Sequence, residues 1–379
     1  MKENYPKGYS VKDILTDNNN WEKYKLFHEG ELKDFQIAEV DSMLLCNDAR
    51  KGFIVAHCKK CDKDFVTHFS CNSRICPRCG TKYVKQWVER ITERMYSVDY
   101  SHIVFTLPKC LWEVIEGNWD CIGELYQMTF VVMQKIMCNV AKQKVKPGMI
   151  VVGHTFGKDI KWNVHFHNVC TEGGFTKSKL WKGIYFFPYR MMRLMWKHAA
   201  LEVIKKHIGL DQHAQLAVDA MYYDYPEGFD VRRIKGKMKK KDLVFYIARY
   251  IRHPAISNRR IMSYDKKSVA IICEDKSKNI SWNESFTVDA FIGRLVKHIP
   301  PKGFHVVRHY GIYSRRTYEK KDVKQDKQEI IFPESESKRQ VICPFCGERA
   351  NIIFFYLSKR GGKPPPEHQF GMRITDWVS

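Results

Sequence analysis

Two Cys-x-x-Cys pairs constrain the fold of this 379-residue chain more tightly than any other feature of its sequence. Cys58 pairs with Cys61, Cys76 pairs with Cys79, and residues 62–75 separate the two pairs. Each pair forms a knuckle, and the intervening loop brings the knuckles together. The spacing therefore predicts one tetrahedral Zn²⁺ site with Cys58, Cys61, Cys76 and Cys79 as ligands. Four thiolates leave no open coordination position, so the predicted ion is structural.

The other cysteines leave the extent of this metal-binding module open. Thirteen cysteines, an odd number, in a chain without a secretory signal are typical of thiols and metal ligands rather than disulfides. Cys46 and Cys71 lie close enough in sequence to extend the site or to replace one ligand. Cys343 and Cys346 form a further knuckle with no second pair downstream. That knuckle is either half of a site completed elsewhere, for example by Cys71 or Cys46, or vestigial.

The basic composition identifies polyanions as partners. The formal net charge is +22, and such a surface attracts phosphates and releases their counterions on binding, so nucleic acid is the expected partner. The sequence contains no apolar run of about twenty residues, the length that a membrane helix needs. Its N-terminus lacks the apolar core of a signal peptide. We therefore expect a cytoplasmic protein that acts on DNA and has no membrane partner.

The pattern of apolar residues predicts an α+β fold in two or three domains. β-branched runs over residues 149–156 and 162–170, joined by residues 157–161, predict a β-hairpin. Apolar residues at helical spacing predict helices over residues 111–142 and 189–206. We divide the chain into an N-terminal zinc-binding and DNA-binding domain, a central core and a C-terminal extension with a Cys-x-x-Cys knuckle: residues 1–95, 96–318 and 319–379.

The second arm of the predicted hairpin carries two histidines, His165 and His167. Residues two apart on a strand point to the same face, so both imidazoles can hold one divalent metal ion. The third ligand is less clear from the sequence. His154, on the neighbouring arm, is the first candidate, and Asp159 in the loop is the second.

A predicted helix over residues 243–252 carries Tyr246 and Tyr250 on one face, because residues four apart stack on a helix. Arg249 and Arg252 interleave with them, and a basic run that we expect to contact DNA precedes them: Arg232, Arg233, Lys235, Lys237, Lys239 and Lys240. A tyrosine phenolate can attack a phosphodiester when a metal ion polarises the phosphate and arginines neutralise the developing charge. This combination predicts DNA strand cleavage through a covalent phosphotyrosine.

Several motifs, in order along residues 41–315, resemble the insertion sequence 91 family of HUH transposases, the two-tyrosine rolling-circle group related to Helitron initiators. These motifs comprise the cysteine motif, the strand ending at Pro108, the glycine-flanked His-Thr-Phe motif, the histidine pair, the tyrosine helix and five closing segments: residues 70–79, 104–108, 153–157, 165–167, 246–252, 255–258, 291–295, 298–300, 303–304 and 308–311.

The resemblance implies an HUH endonuclease core, an antiparallel sheet flanked by helices that carries both histidines and faces a tyrosine-bearing helix. It implies that His165 and His167 bind Mg²⁺ or Mn²⁺ and that Tyr246 and Tyr250 are the nucleophiles. One tyrosine would cut the donor end and the other would take the next strand. The implied substrates are single-stranded DNA at transposon ends and target DNA, at the nucleoid of a prokaryotic cell.

Three residues depart from the family pattern, and two other functions remain open. Asn163 and Val164 stand where the family often has histidine and proline, and Lys158 stands where it often has another polar residue. These differences leave the third metal ligand undecided. A plasmid or phage replication initiator or relaxase would share the histidines and tyrosine but usually lacks the N-terminal zinc module. A non-catalytic zinc-dependent nucleic-acid-binding protein would explain only the cysteines and the charge.

Overall fold

The structure is a computed structural model that describes residues 8–209, 211–238, 254–275, 279–314 and 341–357. Helices and antiparallel strands alternate along these residues, as expected for an α+β fold. Among the described residues, no helix is both long enough and apolar enough to cross a membrane.

The N-terminal region contains three short helices, a β-hairpin and one long helix. The first helix begins with a capping box, because the Ser10 hydroxyl accepts from the Asp13 amide and the Asp13 carboxylate accepts from the Ser10 amide. The long helix begins with proline at its first position, where the missing N–H has no cost. The elements are α1 (Val11–Thr16), α2 (Asn20–Phe27), α3 (Asp34–Leu44), β1 (Gly52–Cys58), β2 (Lys63–His68) and α4 (Pro77–Arg94).

A central antiparallel sheet follows, in the order β11-β4-β5-β3-β7, with β6 paired to β5. The β4–β5 pair is the predicted hairpin, and both strands extend beyond the predicted bounds at their far ends. The strands of this sheet are β3 (Tyr100–Thr106), β4 (Lys146–Phe156), β5 (Trp162–Phe175), β6 (Trp181–Gly183), β7 (Val231–Met238) and β11 (Val307–Gly311).

Helices cover one face of this sheet, and α4 covers part of the other. The helices are α5 (Cys110–Val114), α6 (Trp119–Ala141), α7 (Tyr189–Ile208) and α8 (Gln212–Asp224). Phe105 and Phe166 pack beneath Trp196 in the main core. The helix predicted over residues 111–142 is interrupted after Val114, and Gly117 adopts φ +73° in the turn between α5 and α6.

The region after residue 254 packs against the N-terminal helices. It comprises β8 (Ile261–Tyr264), β9 (Ser268–Asp275), β10 (Ile280–Thr287) and α9 (Val288–Lys297). Phe291 and Leu295 of α9 share a core with Trp21 and Val40 of α2 and α3. The region that we assigned to the N-terminal domain therefore shares a hydrophobic core with the part that follows the predicted tyrosine helix.

The described part of the C-terminal extension joins the N-terminal hairpin. It contains β12 (Val341–Ile342) and β13 (Arg349–Leu357), and β13 pairs antiparallel with β1. The resulting four-stranded sheet has the order β12-β13-β1-β2. The sequence did not predict this pairing, because periodicity within a strand carries no information about a partner hundreds of residues away.

Candidate metal centre and cysteine clusters

Three histidines meet on one face of the central sheet. His154 of β4 lies directly opposite His165 of β5, and His167 is two residues further along β5. One ligand atom from each imidazole lies within 4.8 Å of the others. The structure therefore brings the two predicted ligands together with the first candidate for the third ligand.

The loop between the two strands sets this register. The Gly157 amide donates to the Lys161 carbonyl at 2.9 Å, and Ile160 adopts φ +59° within the turn. The Asp159 carboxylate accepts from the Lys161 amide and pairs with the Lys161 ammonium at 3.2 Å. Asp159, the second candidate for the third ligand, thus has a role in closing the loop.

A buried histidine at the C-cap of α9 holds the same loop in place. His298 is 8% exposed, accepts from the Thr155 hydroxyl at 3.1 Å through Nδ1 and donates to the Ile160 carbonyl at 3.0 Å through Nε2. Its ring stacks on Trp162. Burial lowers the pKa of His298 to about 4, so the imidazole is neutral at neutral pH. His298 therefore holds the end of the hairpin next to the three histidines.

Hydrogen bonds orient two of the three imidazoles. His165 donates from Nδ1 to the Asn163 carbonyl at 3.0 Å, which leaves Nε2 with its lone pair for a metal ion. The departure from the family pattern at Asn163 does not affect this contact, because the carbonyl belongs to the backbone.

The Nδ1 atom of His167 lies 3.0 Å from Nε2 of His102, a fully buried residue of β3. Sequence reasoning missed His102. The position of His102 beside His167 depends on the β3–β5 register, in which Val104 lies opposite His167, and the sequence alone does not give that register.

The electrostatics favour neutral imidazoles. Burial lowers the pKa of His165, partly offset by the bond to the Asn163 carbonyl. Burial lowers the pKa of His167 well below its usual value, and the neighbouring His154, His165 and His102 lower it further. A neutral imidazole is the form that binds a metal. Three nitrogen donors suit Mn²⁺ better than Mg²⁺, which prefers oxygen ligands.

Six predicted residues, including both tyrosines, lie outside the described residues: Tyr246, Tyr250, Arg249, Arg252, Lys239 and Lys240. The described residues on either side of that segment are both near the histidine face. Met238, the last residue of β7, is buried with Val152 and Val169 on that face. Ala255 lines a cavity that also includes His154.

The basic run before this segment begins as strand β7, paired with β3. Arg233 forms an ion pair with Glu172, which is 4% exposed. The side chain of Arg232 is 67% exposed and pairs with Asp230 at 2.5 Å. Lys235 and Lys237 follow on the same strand. The internal ion pair gives Arg233 a structural role, whereas Arg232 remains accessible to a ligand.

The cysteines form two clusters, so the single site predicted from Cys58, Cys61, Cys76 and Cys79 is wrong. The β1–β2 hairpin separates the two pairs: Cys58 and Cys61 lie at its turn, and the chain leaves its open end before Cys76. Strands of this length span about 20 Å. Each pair therefore combines with other cysteines.

The first cluster contains Cys46, Cys71, Cys76 and Cys79. The Sγ atoms of Cys46 and Cys71 each lie 3.5 Å from that of Cys79, and Cys46 lies 3.7 Å from Cys76. Cys76 caps the N-terminus of α4, where the helix dipole favours a thiolate. Hydrogen bonding with Cys71 lowers the pKa of Cys76 to about 5. Cys46 and Cys71, left open by the sequence, complete this group.

The second cluster contains Cys58, Cys61, Cys343 and Cys346. The knuckle at Cys343 is thus completed by Cys58 and Cys61, and not by Cys71 or Cys46 as the sequence suggested. The pairing of β13 with β1 brings the two knuckles together.

Comparisons with known proteins fit this arrangement. Residues 148–321 match a family model described as "Putative transposase", and residues 17–107 match one described as "Transposase zinc-binding domain" of the insertion sequence 91 type. The first matched region contains all three clustered histidines. The second contains the whole first cluster together with Cys58 and Cys61.

Two curated proteins are similar over most of their length. The transposase for insertion sequence element IS801 of Pseudomonas savastanoi pv. phaseolicola is 24% identical over 324 residues, covering 81% of this chain and 76% of the relative. "Putative transposase y4qJ" of Sinorhizobium fredii is 27% identical over 334 residues, covering 83% and 82%. No solved structure matches the chain.

Proposed function

The chain belongs to the insertion sequence 91 family of transposases, and we propose that it nicks and rejoins single-stranded DNA at transposon ends through a 5′-phosphotyrosine intermediate. Transposases process DNA, and the chain contains a zinc-binding domain of this family. The proposed DNA cleavage rests on the group of His154, His165 and His167 on one face of the sheet. We further propose that this sheet is an HUH core, because the histidine pair lies on β5 within an antiparallel sheet flanked by helices.

We propose that His154, His165 and His167 hold one Mn²⁺ or Mg²⁺ ion. The donor set fits, because two of the imidazoles are oriented by hydrogen bonds and burial keeps His165 and His167 neutral. Three protein ligands leave coordination positions for a substrate oxygen. When bound, the ion polarises the scissile phosphate and stabilises the charge that develops on it. His102 holds the ring of His167 in place.

Tyr246 and Tyr250 are the proposed nucleophiles. The attacking tyrosine loses its phenolic proton, the phenolate oxygen attacks phosphorus, and the bond from phosphorus to the 3′-oxygen breaks. The departing 3′-oxygen takes up a proton, which leaves a 5′-phosphotyrosine and a free 3′-hydroxyl. Attack by a 3′-hydroxyl on the phosphotyrosine reverses the step and rejoins DNA without ATP. The positions of Met238 and Ala255 beside the histidine face support this role, because they flank the segment that contains both tyrosines.

Basic residues bind the DNA backbone in this proposal. The net charge of +22 supplies sequence-independent attraction for single-stranded ends and target DNA. We assign contacts to the exposed Arg232 and, from the sequence, to Lys235, Lys237, Lys239, Lys240, Arg249 and Arg252. Such a protein acts at the nucleoid in the cytoplasm of a prokaryotic cell.

The first cysteine cluster is the proposed structural Zn²⁺ site of the family domain. Its four sulfurs match a closed tetrathiolate site, which has no catalytic role. The ion connects the end of α3 to the beginning of α4, whose residues Trp87 and Ile91 pack on the histidine face. Zinc binding therefore supports the helix that partly covers this face.

The test of the proposed function is a covalent adduct with DNA. Labelled single-stranded DNA from the flanks of the gene is incubated with purified protein and Mn²⁺, Mg²⁺ or EDTA, then run on a denaturing gel. We expect a metal-dependent, protein-linked band that disappears in the Tyr246→Phe, Tyr250→Phe double variant. Tyr223→Phe is the matched control, because Tyr223 is 85% exposed on α8. Protein that binds these DNAs but forms no adduct on any of them would contradict the proposal.

A further inference from the structure

The second cysteine cluster joins parts of the chain that are far apart in sequence. Cys58 and Cys61 lie at the turn of the β1–β2 hairpin, and Cys343 and Cys346 lie between β12 and β13. The Cys61 and Cys343 sulfurs are 4.0 Å apart although their positions differ by 282 in the sequence. The matched zinc-binding domain ends at residue 107 and so contains only half of these four residues.

The separations between the four sulfurs fit a metal ion. The Cys58 and Cys346 sulfurs are 3.6 Å apart, and those of Cys61 and Cys343 are 4.0 Å apart. A tetrahedral zinc site with bonds of about 2.3 Å places its sulfurs about 3.8 Å apart. Disulfide bonds are shorter, at about 2.05 Å.

The backbone at Cys343 has the form of a metal-binding knuckle. The Cys343 amide donates to the Glu348 carbonyl at 2.8 Å, and the Gly347 amide donates to the Cys343 carbonyl at 3.0 Å. Gly347 adopts φ +75°, which a side chain would strain. This tight turn directs the Cys343 and Cys346 side chains to the same side, where Cys58 and Cys61 lie.

The hydrophobic core around the cluster is small. The buried residues of this local core are Ala56, Phe65, Cys58 and Cys343. Small hydrophobic cores are commonly reinforced by a metal ion or by disulfides. An ion held by both ends of the chain would supply such reinforcement.

Charged contacts across the cluster complement a tetrathiolate, which carries a net charge of −2 with zinc bound. Lys60 next to Cys61 pairs with Glu348 beyond Cys346 at 3.0 Å. The Lys63 ammonium lies 5.1 Å from the ring centre of Phe345, between the two C-terminal cysteines. Both contacts connect the hairpin turn with the C-terminal knuckle.

We propose that Cys58, Cys61, Cys343 and Cys346 bind a second structural Zn²⁺ ion, which fastens the C-terminal strand β13 to the N-terminal hairpin. This site is separate from the first cluster and has no direct part in the proposed DNA chemistry. Its ligands come from distant parts of the sequence, so it forms only in a chain that contains both knuckles.

The number of zinc ions in the full-length protein tests the proposal. Native mass spectrometry of the wild type should give two Zn²⁺ per chain. Cys58→Ser and Cys343→Ser should each retain one ion, Cys76→Ser should also retain one, and Cys76→Ser combined with Cys343→Ser should retain none. Cys110→Ser, at an exposed cysteine outside both clusters, should retain two. Two ions in Cys343→Ser, or one ion in the wild type, would overturn the proposal.

A second measurement uses the wild type alone and so does not depend on whether a variant folds. Thiols bound to zinc react slowly with an alkylating reagent, so Cys58, Cys61, Cys343 and Cys346 should be protected until a chelator is added. The exposed Cys110 should react at once. Rapid alkylation of Cys343 and Cys346 in protein that contains two zinc ions would place the second ion elsewhere.

Discussion

His154 and His165 face each other across the β4–β5 pair, with ring centroids 5.3 Å apart. Each belongs to a different strand, so their separation depends on the loop at residues 157–161 and on the His298 contacts that fix this loop. The geometry of the proposed metal centre is therefore a property of the hairpin as a whole. Changes to ligands, to supporting residues and to the zinc clusters should have distinguishable effects.

Removing a proposed ligand should abolish cleavage and spare DNA binding. We expect His165→Ala to reduce the rate of DNA nicking by about 10²–10⁴-fold, because a metal ion contributes several kcal/mol to the stabilisation of the transition state. Affinity for single-stranded DNA should change little, since it depends on basic residues. His198→Ala, an exposed histidine on α7, is the control. Equal losses of binding and cleavage in His165→Ala would indicate a structural histidine instead.

Changing the residue that orients His167 should weaken metal binding rather than remove it. We expect His102→Ala to raise the Mn²⁺ concentration for half-maximal cleavage by about 10–100-fold, the usual effect of losing such a hydrogen-bond partner. His102→Gln, which keeps a polar group near Nδ1 of His167, should restore part of the affinity. If His102→Ala folds normally, as judged by circular dichroism, and needs no more Mn²⁺ for cleavage than the wild type, His102 does not orient His167 for metal binding.

Each tyrosine should be necessary for strand transfer. We expect Tyr246→Phe and Tyr250→Phe to form covalent adducts on at most one of the two DNA strands, because a two-nucleophile mechanism uses one hydroxyl for each strand. Transposition assays in cells, together with adduct formation on each end sequence, measure this directly. If both single variants transpose at the wild-type rate, the chain does not use two nucleophiles.

The buried His298 should make stability depend on pH. Its pKa is about 4 in the folded protein and near the usual 6.5 in the unfolded chain, so the unfolded state binds protons more readily. Stability should therefore fall as the pH drops from about 6.5 to about 4, by about 3 kcal/mol in total. His298→Gln, which keeps a donor for the Ile160 carbonyl, should show a shallower dependence in urea unfolding at several pH values. Parallel pH profiles for the two proteins would show that His298 does not titrate as described.

Loss of a ligand from the first cluster should disorganise the beginning of α4. We expect Cys76→Ser to lose one zinc ion and to expose the amides of α4 to hydrogen exchange, because binding energy at such a site stabilises the fold. Cys110→Ser should match the wild type. Retention of full zinc content together with protected α4 amides would show that Cys76 is not a ligand.

Local patterns predicted the hairpin of the metal centre well. Alternating β-branched residues and a short polar loop gave both strands, and the spacing of His165 and His167 gave their common face, because these features depend on neighbouring residues only. His154 followed from the same hairpin. The role of His102 could not be predicted in this way, because its contact with His167 depends on the register between β5 and β3, a strand about sixty residues earlier.

Local patterns did not predict the grouping of the cysteines correctly. Spacing singled out Cys58, Cys61, Cys76 and Cys79 as candidate metal ligands near the N-terminus, and each of them lies in a cluster of four cysteines, but the prediction combined them into one site. The two strands between the pairs were not recognised, and these strands hold the pairs at opposite ends of a hairpin. The true partners of Cys58 lie at the other end of the chain, where no local pattern could indicate them.

The pairing of β13 with β1 has a consequence for synthesis of the protein on the ribosome. The Cys61 and Cys343 positions are 282 residues apart, so at about 5–20 residues per second the second knuckle emerges roughly 15 to 60 s after the first. During that interval the hairpin of the nascent chain contains Cys58 and Cys61 without Cys343 and Cys346, the other two cysteines of the cluster. A chain released early by a frameshift or a stop codon would keep the histidines and both tyrosines and yet carry an unfinished edge strand, a feature prone to aggregation.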